Sequence, residues 1–156
     1  MRTELVLLEF NACAMTLLLA FCAVTDILYR RVSETGLIAF TVFMLIADAA
    51  WLHAAWWLLL SMCLFGIGLG ALWWCVDHGH ALGDAEMVGL MGVGLGLLAL
   101  VPLLIGLVAA LVSRPLWPVL AGPHVPTEER NLAPLGVYFF FGAALTTTLF
   151  LVVVRP

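Results

Sequence analysis

The sequence predicts an all-α membrane protein, a polytopic bundle of about six transmembrane helices. Of the 156 residues, 65% are apolar and only 10% are charged, and the mean hydropathy is +1.17. A soluble domain has about 25% charged residues, so this chain has too few polar side chains to cover a water-soluble fold. The apolar residues form unbroken runs, whereas a transmembrane barrel has segments of alternating polarity. Because a spanning helix uses about 20 residues, we expect one membrane-embedded domain over residues 1–156.

Charged and polar residues divide the apolar sequence into spans. The predicted spans with clear limits cover residues 5–25, 36–52, 57–76 and 135–154. We interpret the first as a retained span, not a cleaved signal, and expect a short turn at 53–56. A polar segment covers 77–86, and the stretch 87–112 that follows is long for one helix and short for two. Residues 113–134 are rich in proline, glycine and charge and are predicted to form the only long loop.

The arginines predict an orientation for these spans. All six basic residues are arginines, at positions 2, 30, 31, 114, 130 and 155. With six spans, the four central arginines lie inside and the two terminal ones outside, which agrees with the positive-inside rule. This topology places the segments that carry Asp26 and Asp84 at the same, cytoplasmic face.

The charge balance and the cysteines exclude some classes of function. The formal net charge is −4 and no basic stripe is present, so we expect no nucleic-acid partner. The four cysteines, Cys13, Cys22, Cys63 and Cys75, lie within or beside apolar runs without a C-x-x-C pair, which indicates small buried side chains and not a zinc site. We therefore expect no metal and no cofactor.

Acidic residues at bilayer depth are candidates for function, because a carboxyl group there is costly unless it is paired or solvated. Glu9 and Asp48 are interpreted as structural residues at the outer interface. Asp26 follows the inner end of the first span, and Asp84 follows Gly83 in the polar segment. Two carboxyl groups at one membrane face share a proton, and the resulting base and acid hydrolyse a peptide bond without a metal.

Three segments carry a resemblance to a known family. Residues 26–34 read DILYRRVSE, residues 81–87 read ALGDAEM, and residues 134–137 read PLGV. In order and spacing they resemble the type IV prepilin peptidases, membrane aspartic proteases of the Gly-x-Gly-Asp type. That family has an aspartate and arginines after one span, Gly-x-Gly-Asp before another, and Pro-aromatic-Gly opening the last. Ala81 replaces the first glycine of the second motif, and Glu86 replaces a lysine.

The resemblance implies an endopeptidase that acts at the cytoplasmic face of the bacterial inner membrane. Asp26 and Asp84 would form the catalytic pair, with Gly83, Arg30 and Arg31 as supporting residues. The substrates would be type IV or Flp-type prepilins or pseudopilins, cut after a glycine that precedes an apolar helix. The chain lacks the cysteine-bearing insert of the bifunctional members, so it resembles the short, peptidase-only form that serves tight-adherence pili, without methyltransferase activity.

Two alternatives remain open at this point. The departures at Ala81 and Glu86 also fit a degenerate homologue that binds pilins without cutting them. A small transporter subunit would instead use Asp26, Asp48 or Asp84 as a proton or ion relay.

Overall fold

The computed structural model describes residues 2–52, 56–77 and 82–154, and this part of the chain is helical without a strand. The helices are α1 (Arg2–Tyr29), α2 (Glu34–Leu52), α3 (Trp56–Val76), α4 (Leu82–Leu95), α5 (Leu100–Val112), the single turn α6 (Trp117–Leu120) and α7 (Leu135–Val154). The all-α prediction is confirmed. Residues 53–55 of the predicted turn at 53–56 and residues 78–81 of the polar segment 77–86 lie outside the described residues, whereas Trp56 is the first residue of α3.

Four helical segments of the described chain are long and apolar enough to cross a membrane. They are Val6–Tyr29, Trp56–Val76, Leu82–Val112 and Leu135–Val153. Few residues of Trp56–Val76 are buried inside the protein, and large apolar side chains such as Trp57 and Ile67 are exposed. Such a surface is unfavourable in water and ordinary in lipid. The chain is therefore a helical membrane protein.

Two spans begin or end differently from their predicted limits. The first helix was predicted to close at Asp26, but α1 continues for one more turn to Tyr29. The polar segment 77–86 was predicted to precede a span, but α4 begins within it, at Leu82. In both cases the helix includes acidic residues near its end. An acidic residue lowers the stability of a helix only slightly, so the change from apolar to polar sequence does not mark the helix limit.

The stretch 87–112 contains two helices with an irregular junction. A 3-10 turn, Gly96–Ala99, separates α4 from α5, and Gly96 has a φ of +56°. This left-handed conformation is favourable only for glycine, so Gly96 ends the α-helical hydrogen-bond ladder of α4. Pro102 stands in the first turn of α5, where the missing N–H breaks no helical hydrogen bond.

The chain divides into two compact units. The first comprises Met1–Met15 and Glu34–Leu100, and the second comprises Thr16–Ser33 and Val101–Pro156, so α1 contributes to both. In the first unit α3 packs on α4 through glycines: a Cβ added to Gly70 would lie 2.9 Å from the Ala85 carbonyl oxygen. Small residues allow this close approach of two helix backbones.

In the second unit α5 packs closely on α7. A Cβ added to Gly106 of α5 would lie 2.8 Å from the Tyr138 carbonyl oxygen, and one added to Gly142 of α7 would collide with the Pro102 carbonyl. The predicted loop 113–134 also lies in this unit and contains two 3-10 turns and α6. Pro115 and Pro118 stand at the starts of two of these turns, where proline fits without loss of a hydrogen bond.

Candidate functional site

Asp26 lies in the last turn of α1, in the second unit, and its side chain is only 6% exposed. The carboxylate oxygen Oδ2 accepts a hydrogen bond of 2.8 Å from the backbone N–H of Gly136. Gly136 is the second residue of α7, so this N–H is one of the four at the helix start that have no partner within the helix. Asp26 therefore places a negative charge at the positive end of the α7 dipole.

The backbone of Gly136 lies close to α1, so a side chain at this position would be crowded. A Cβ there would lie 3.1 Å from Asp26 Oδ2 and 3.1 Å from the Cys22 carbonyl oxygen. Pro134, which is also buried, ends the preceding loop just before α7. The first and third of the sequence segments that carry the family resemblance thus meet inside one unit, 110 residues apart along the chain.

Arg30 ends α1 and holds the loop that follows α5. Its φ of +51° is left-handed, which terminates the helix, and its backbone N–H donates to the Asp26 carbonyl at 2.9 Å. Its guanidinium nitrogen Nη2 donates to the Trp117 carbonyl at 3.1 Å. The Nε and Nη1 nitrogens are buried without a hydrogen-bond partner, as is Trp117 Nε1. These donors can bind a water or an anionic group beside Asp26.

Arg31, the other arginine singled out with Arg30, has an exposed side chain between α1 and α2. It fits a role in membrane orientation better than a role in positioning Asp26.

The proline-rich loop covers the end of α1 through specific contacts. The Gly122 N–H donates to the Ile27 carbonyl at 2.9 Å, and the rings of Tyr29 and His124 stack with centroids 5.8 Å apart. A Cβ at Gly122 would lie 2.8 Å from the same Ile27 oxygen. Sequence reasoning assigned no residue of this loop. A glycine and an aromatic ring beside prolines were the available signals, but they do not reveal which helix end the loop contacts.

The second motif lies in the first unit. Gly83 and Asp84 are half-buried in the first turn of α4, where the helix dipole favours a carboxylate. Ala81, the departure from the family motif, and the neighbouring His78 and His80 lie outside the described residues. Asp26 and Asp84 thus belong to different units, and each is positioned at a helix terminus within its own unit.

Glu86 lines an apolar groove of about 390 Å³ in the first unit. The groove lies against α2, α3 and α4, and its wall includes Leu37, Gly66, Trp74 and Val93. The Glu86 oxygen Oε2 is buried and has no hydrogen-bond partner. A carboxylate thus stands in an otherwise apolar wall, two residues after Asp84.

Two further acids are buried within the protein, although the sequence suggested interfacial positions. Glu9 is 8% exposed and Asp48 is 1% exposed. Asp48 accepts a hydrogen bond from Asn11, a residue that sequence reasoning missed. The available signal was an asparagine inside an apolar span, where an amide needs a polar partner.

The cysteines differ from expectation, and the described residues contain no cluster that could hold a metal. Cys22 is buried as predicted, Cys63 is half-buried, Cys13 and Cys75 are exposed, and all four are free thiols. In an apolar span an exposed thiol costs little, since it faces lipid and not water. Among the described residues no three His, Cys, Asp or Glu side chains are grouped closely enough to bind a metal ion.

Comparison of the chain with protein-family models, with curated proteins and with solved structures finds no match.

Proposed function

We propose that this chain is a membrane aspartic endopeptidase of the prepilin peptidase type, in the inner membrane of a bacterium. The observation that carries the proposal is the hydrogen bond between Asp26 and Gly136. It joins the aspartate of the first motif to the glycine of the third, and a side chain at position 136 would press on both Asp26 and Cys22. If the first and third motifs serve one active site, their residues are expected to lie in contact, as Asp26 and Gly136 do.

In the proposed reaction Asp26 and Asp84 act as a pair on one water molecule. The ionised carboxylate takes a proton from the water, and the protonated one donates its proton to the carbonyl oxygen of the scissile bond. The water oxygen bonds to the carbonyl carbon, and the departing amine takes up the proton that the first carboxylate removed from water. As the C–N bond breaks, one hydroxyl of the tetrahedral intermediate returns its proton to the other carboxylate, which restores the pair. Because Gly136 holds Oδ2 of Asp26, Oδ1 is the oxygen left for water or substrate.

The substrate we propose is a prepilin or pseudopilin, with a short basic leader followed by an apolar helix. The groove beside Glu86 supports this class. Its wall is apolar, as a helix in the membrane requires, and the unpartnered Glu86 carboxylate offers a negative charge to a basic leader. Under this proposal the charge reversal at position 86 contributes to substrate recognition.

The test is cleavage of a co-expressed Flp-type prepilin, read by mass spectrometry of the pilin amino terminus. Asp26→Asn and Asp84→Asn should each reduce cleavage by about a hundredfold to ten-thousandfold, because each removes one member of the proton-transfer pair. The control Glu128→Gln alters an exposed loop acid and should cleave normally. Immunoblotting should find all three variants in the membrane, and a metal chelator should leave cleavage by the wild type unchanged. Near-normal cleavage by either aspartate variant contradicts the proposal.

A second candidate function is binding of pilins without cleavage. The observation that favours it is Glu86, a half-buried acid where the resembling family has a lysine. The same experiment separates the two. An intact leader on a pilin that co-purifies with the wild-type chain supports binding alone.

A further inference from the structure

A buried polar cluster lies where three helices of the first unit meet. Asn11 of α1 donates through Nδ2 to Asp48 Oδ2 of α2 at 3.3 Å and to the Gly94 carbonyl of α4 at 3.1 Å. Asn11 and Asp48 are each 1% exposed. A carboxyl group so far from solvent is stable only if its charge is neutralised and its oxygens are hydrogen-bonded or coordinated.

Donors and acceptors do not balance in this cluster. The Asn11 amide has two hydrogens, and its two hydrogen bonds use both. Asp48 Oδ1 and Asn11 Oδ1 are buried and have no partner. A reversed Asn11 amide would bring its oxygen to Asp48 Oδ2 and the Gly94 carbonyl, so three acceptors would then face one another. In both orientations no positive group among the described residues contacts this cluster, and oxygens are left without a hydrogen-bond donor.

The backbone at this point also favours a cation. Gly94 is the second-last residue of α4, and the left-handed Gly96 and the 3-10 turn Gly96–Ala99 interrupt the helix directly afterwards. The carboxyl end of an interrupted helix carries a partial negative charge, and its carbonyl oxygens are available for coordination. A cavity of about 540 Å³, lined by Asn11, Ser61 and Gly96 among others, borders the cluster at Asn11.

We propose that Asp48, Asn11 and the Gly94 carbonyl form a binding site for a small monovalent cation, Na⁺. Carboxylate, amide and carbonyl oxygens are ligands for hard cations, and carbonyl oxygens at the carboxyl ends of interrupted membrane helices coordinate Na⁺. The single carboxylate balances one positive charge, and a divalent ion would leave a net charge buried in an apolar surrounding. The bound ion joins α1, α2 and α4, and this role is independent of the peptidase activity.

The test is thermal unfolding of the purified full chain in detergent, with Na⁺ replaced stepwise by choline at constant ionic strength. A ligand that binds only the folded state raises the midpoint, here by roughly 5–10 °C at about 100 times the Kd. Asp48→Asn keeps the side-chain size but removes the charge and should abolish the Na⁺ response. The control Glu128→Gln should retain it.

Direct binding of ²²Na⁺ to the same preparations provides a second measurement, which does not depend on a stability change. Wild type and Glu128→Gln should bind one ion, and both Asp48→Asn and Asn11→Ala should bind at least tenfold more weakly. Equal midpoints in Na⁺ and choline together with no ²²Na⁺ binding by the wild type would overturn the proposal. An undiminished response in Asp48→Asn would also overturn it, because the ion would then lie elsewhere. Neither thermal unfolding nor ²²Na⁺ binding depends on leader cleavage. The Na⁺ site can therefore be confirmed or contradicted independently of the proposed peptidase activity.

Discussion

Asp26 has a structural function as well as its proposed catalytic one. Its Oδ2 accepts from the first turn of α7, so the carboxylate satisfies one of the unpaired N–H groups there. Arg30 lies one turn further along, directly after α1, and its own backbone is left-handed. Its guanidinium donates a hydrogen bond to the Trp117 carbonyl. Asp26 therefore connects the end of α1 to the start of α7, and Arg30 connects it to the loop before α7.

We expect Asp26→Ala to destabilise the protein more than Asp26→Asn does. Alanine leaves the Gly136 N–H without its partner, at a cost of about 1–2 kcal/mol. Asparagine retains an acceptor oxygen, so the Gly136 N–H can keep its hydrogen bond. Thermal unfolding in detergent should therefore give the asparagine variant a higher midpoint than the alanine variant. Equal midpoints for the two variants would show that the hydrogen bond contributes nothing to stability.

At the scale of elements, glycines determine how closely the helices of the first unit pack. A Cβ added to Gly66 of α3 would lie 2.6 Å from the Gly89 carbonyl oxygen and 2.7 Å from the Val93 nitrogen, both backbone atoms of α4. Gly68, two residues along on the same helix, has nothing within 4 Å of such a Cβ. The close spacing of α3 and α4 thus requires a glycine at position 66, on the face of α3 that contacts α4. A glycine on another face of α3, such as Gly68, does not contribute to it.

The pair Gly66→Ala and Gly68→Ala tests this dependence. Gly66→Ala forces two backbones apart, which should cost about 1–3 kcal/mol. Gly68→Ala should be neutral or stabilising, by up to about 1 kcal/mol, because alanine is the better helix former. Thermal unfolding of the purified variants in one detergent gives both values. A Gly68 variant as unstable as the Gly66 variant would contradict a contact-specific role for Gly66.

For the whole molecule, the sequence predicts the helices well because the preference of an apolar run for lipid is a local property. It predicts their junctions less well. The left-handed glycine at 96 is one of several glycines in the same run, and the sequence does not distinguish it. The hydrogen bonds of Asp26 to Gly136 and of Asn11 to Asp48 join residues far apart along the chain, so no local pattern reveals them. The role of Asp84 stays a prediction.

The orientation of the second unit provides the last prediction. Because Gly122 of the loop hydrogen-bonds to Ile27, the loop marks the face of the membrane at which Asp26 lies. α7 follows this loop and is long enough to cross the membrane, so the carboxyl end should lie on the opposite face. With Arg114 and Arg130 in the loop, the positive-inside rule predicts that the loop lies in the cytoplasm.

Single cysteines introduced into a variant with all four native cysteines replaced by alanine test this orientation. In intact cells a membrane-impermeant maleimide should label Pro156→Cys and should not label His124→Cys. After the membrane is permeabilised, His124→Cys should also react, which controls for burial of its side chain, exposed in the structure. The reverse pattern in intact cells would place Asp26 at the outer face. A peptidase with Asp26 at the outer face could not reach a leader peptide that is still in the cytoplasm. The reverse labelling pattern would therefore contradict the proposed function without any measurement of cleavage.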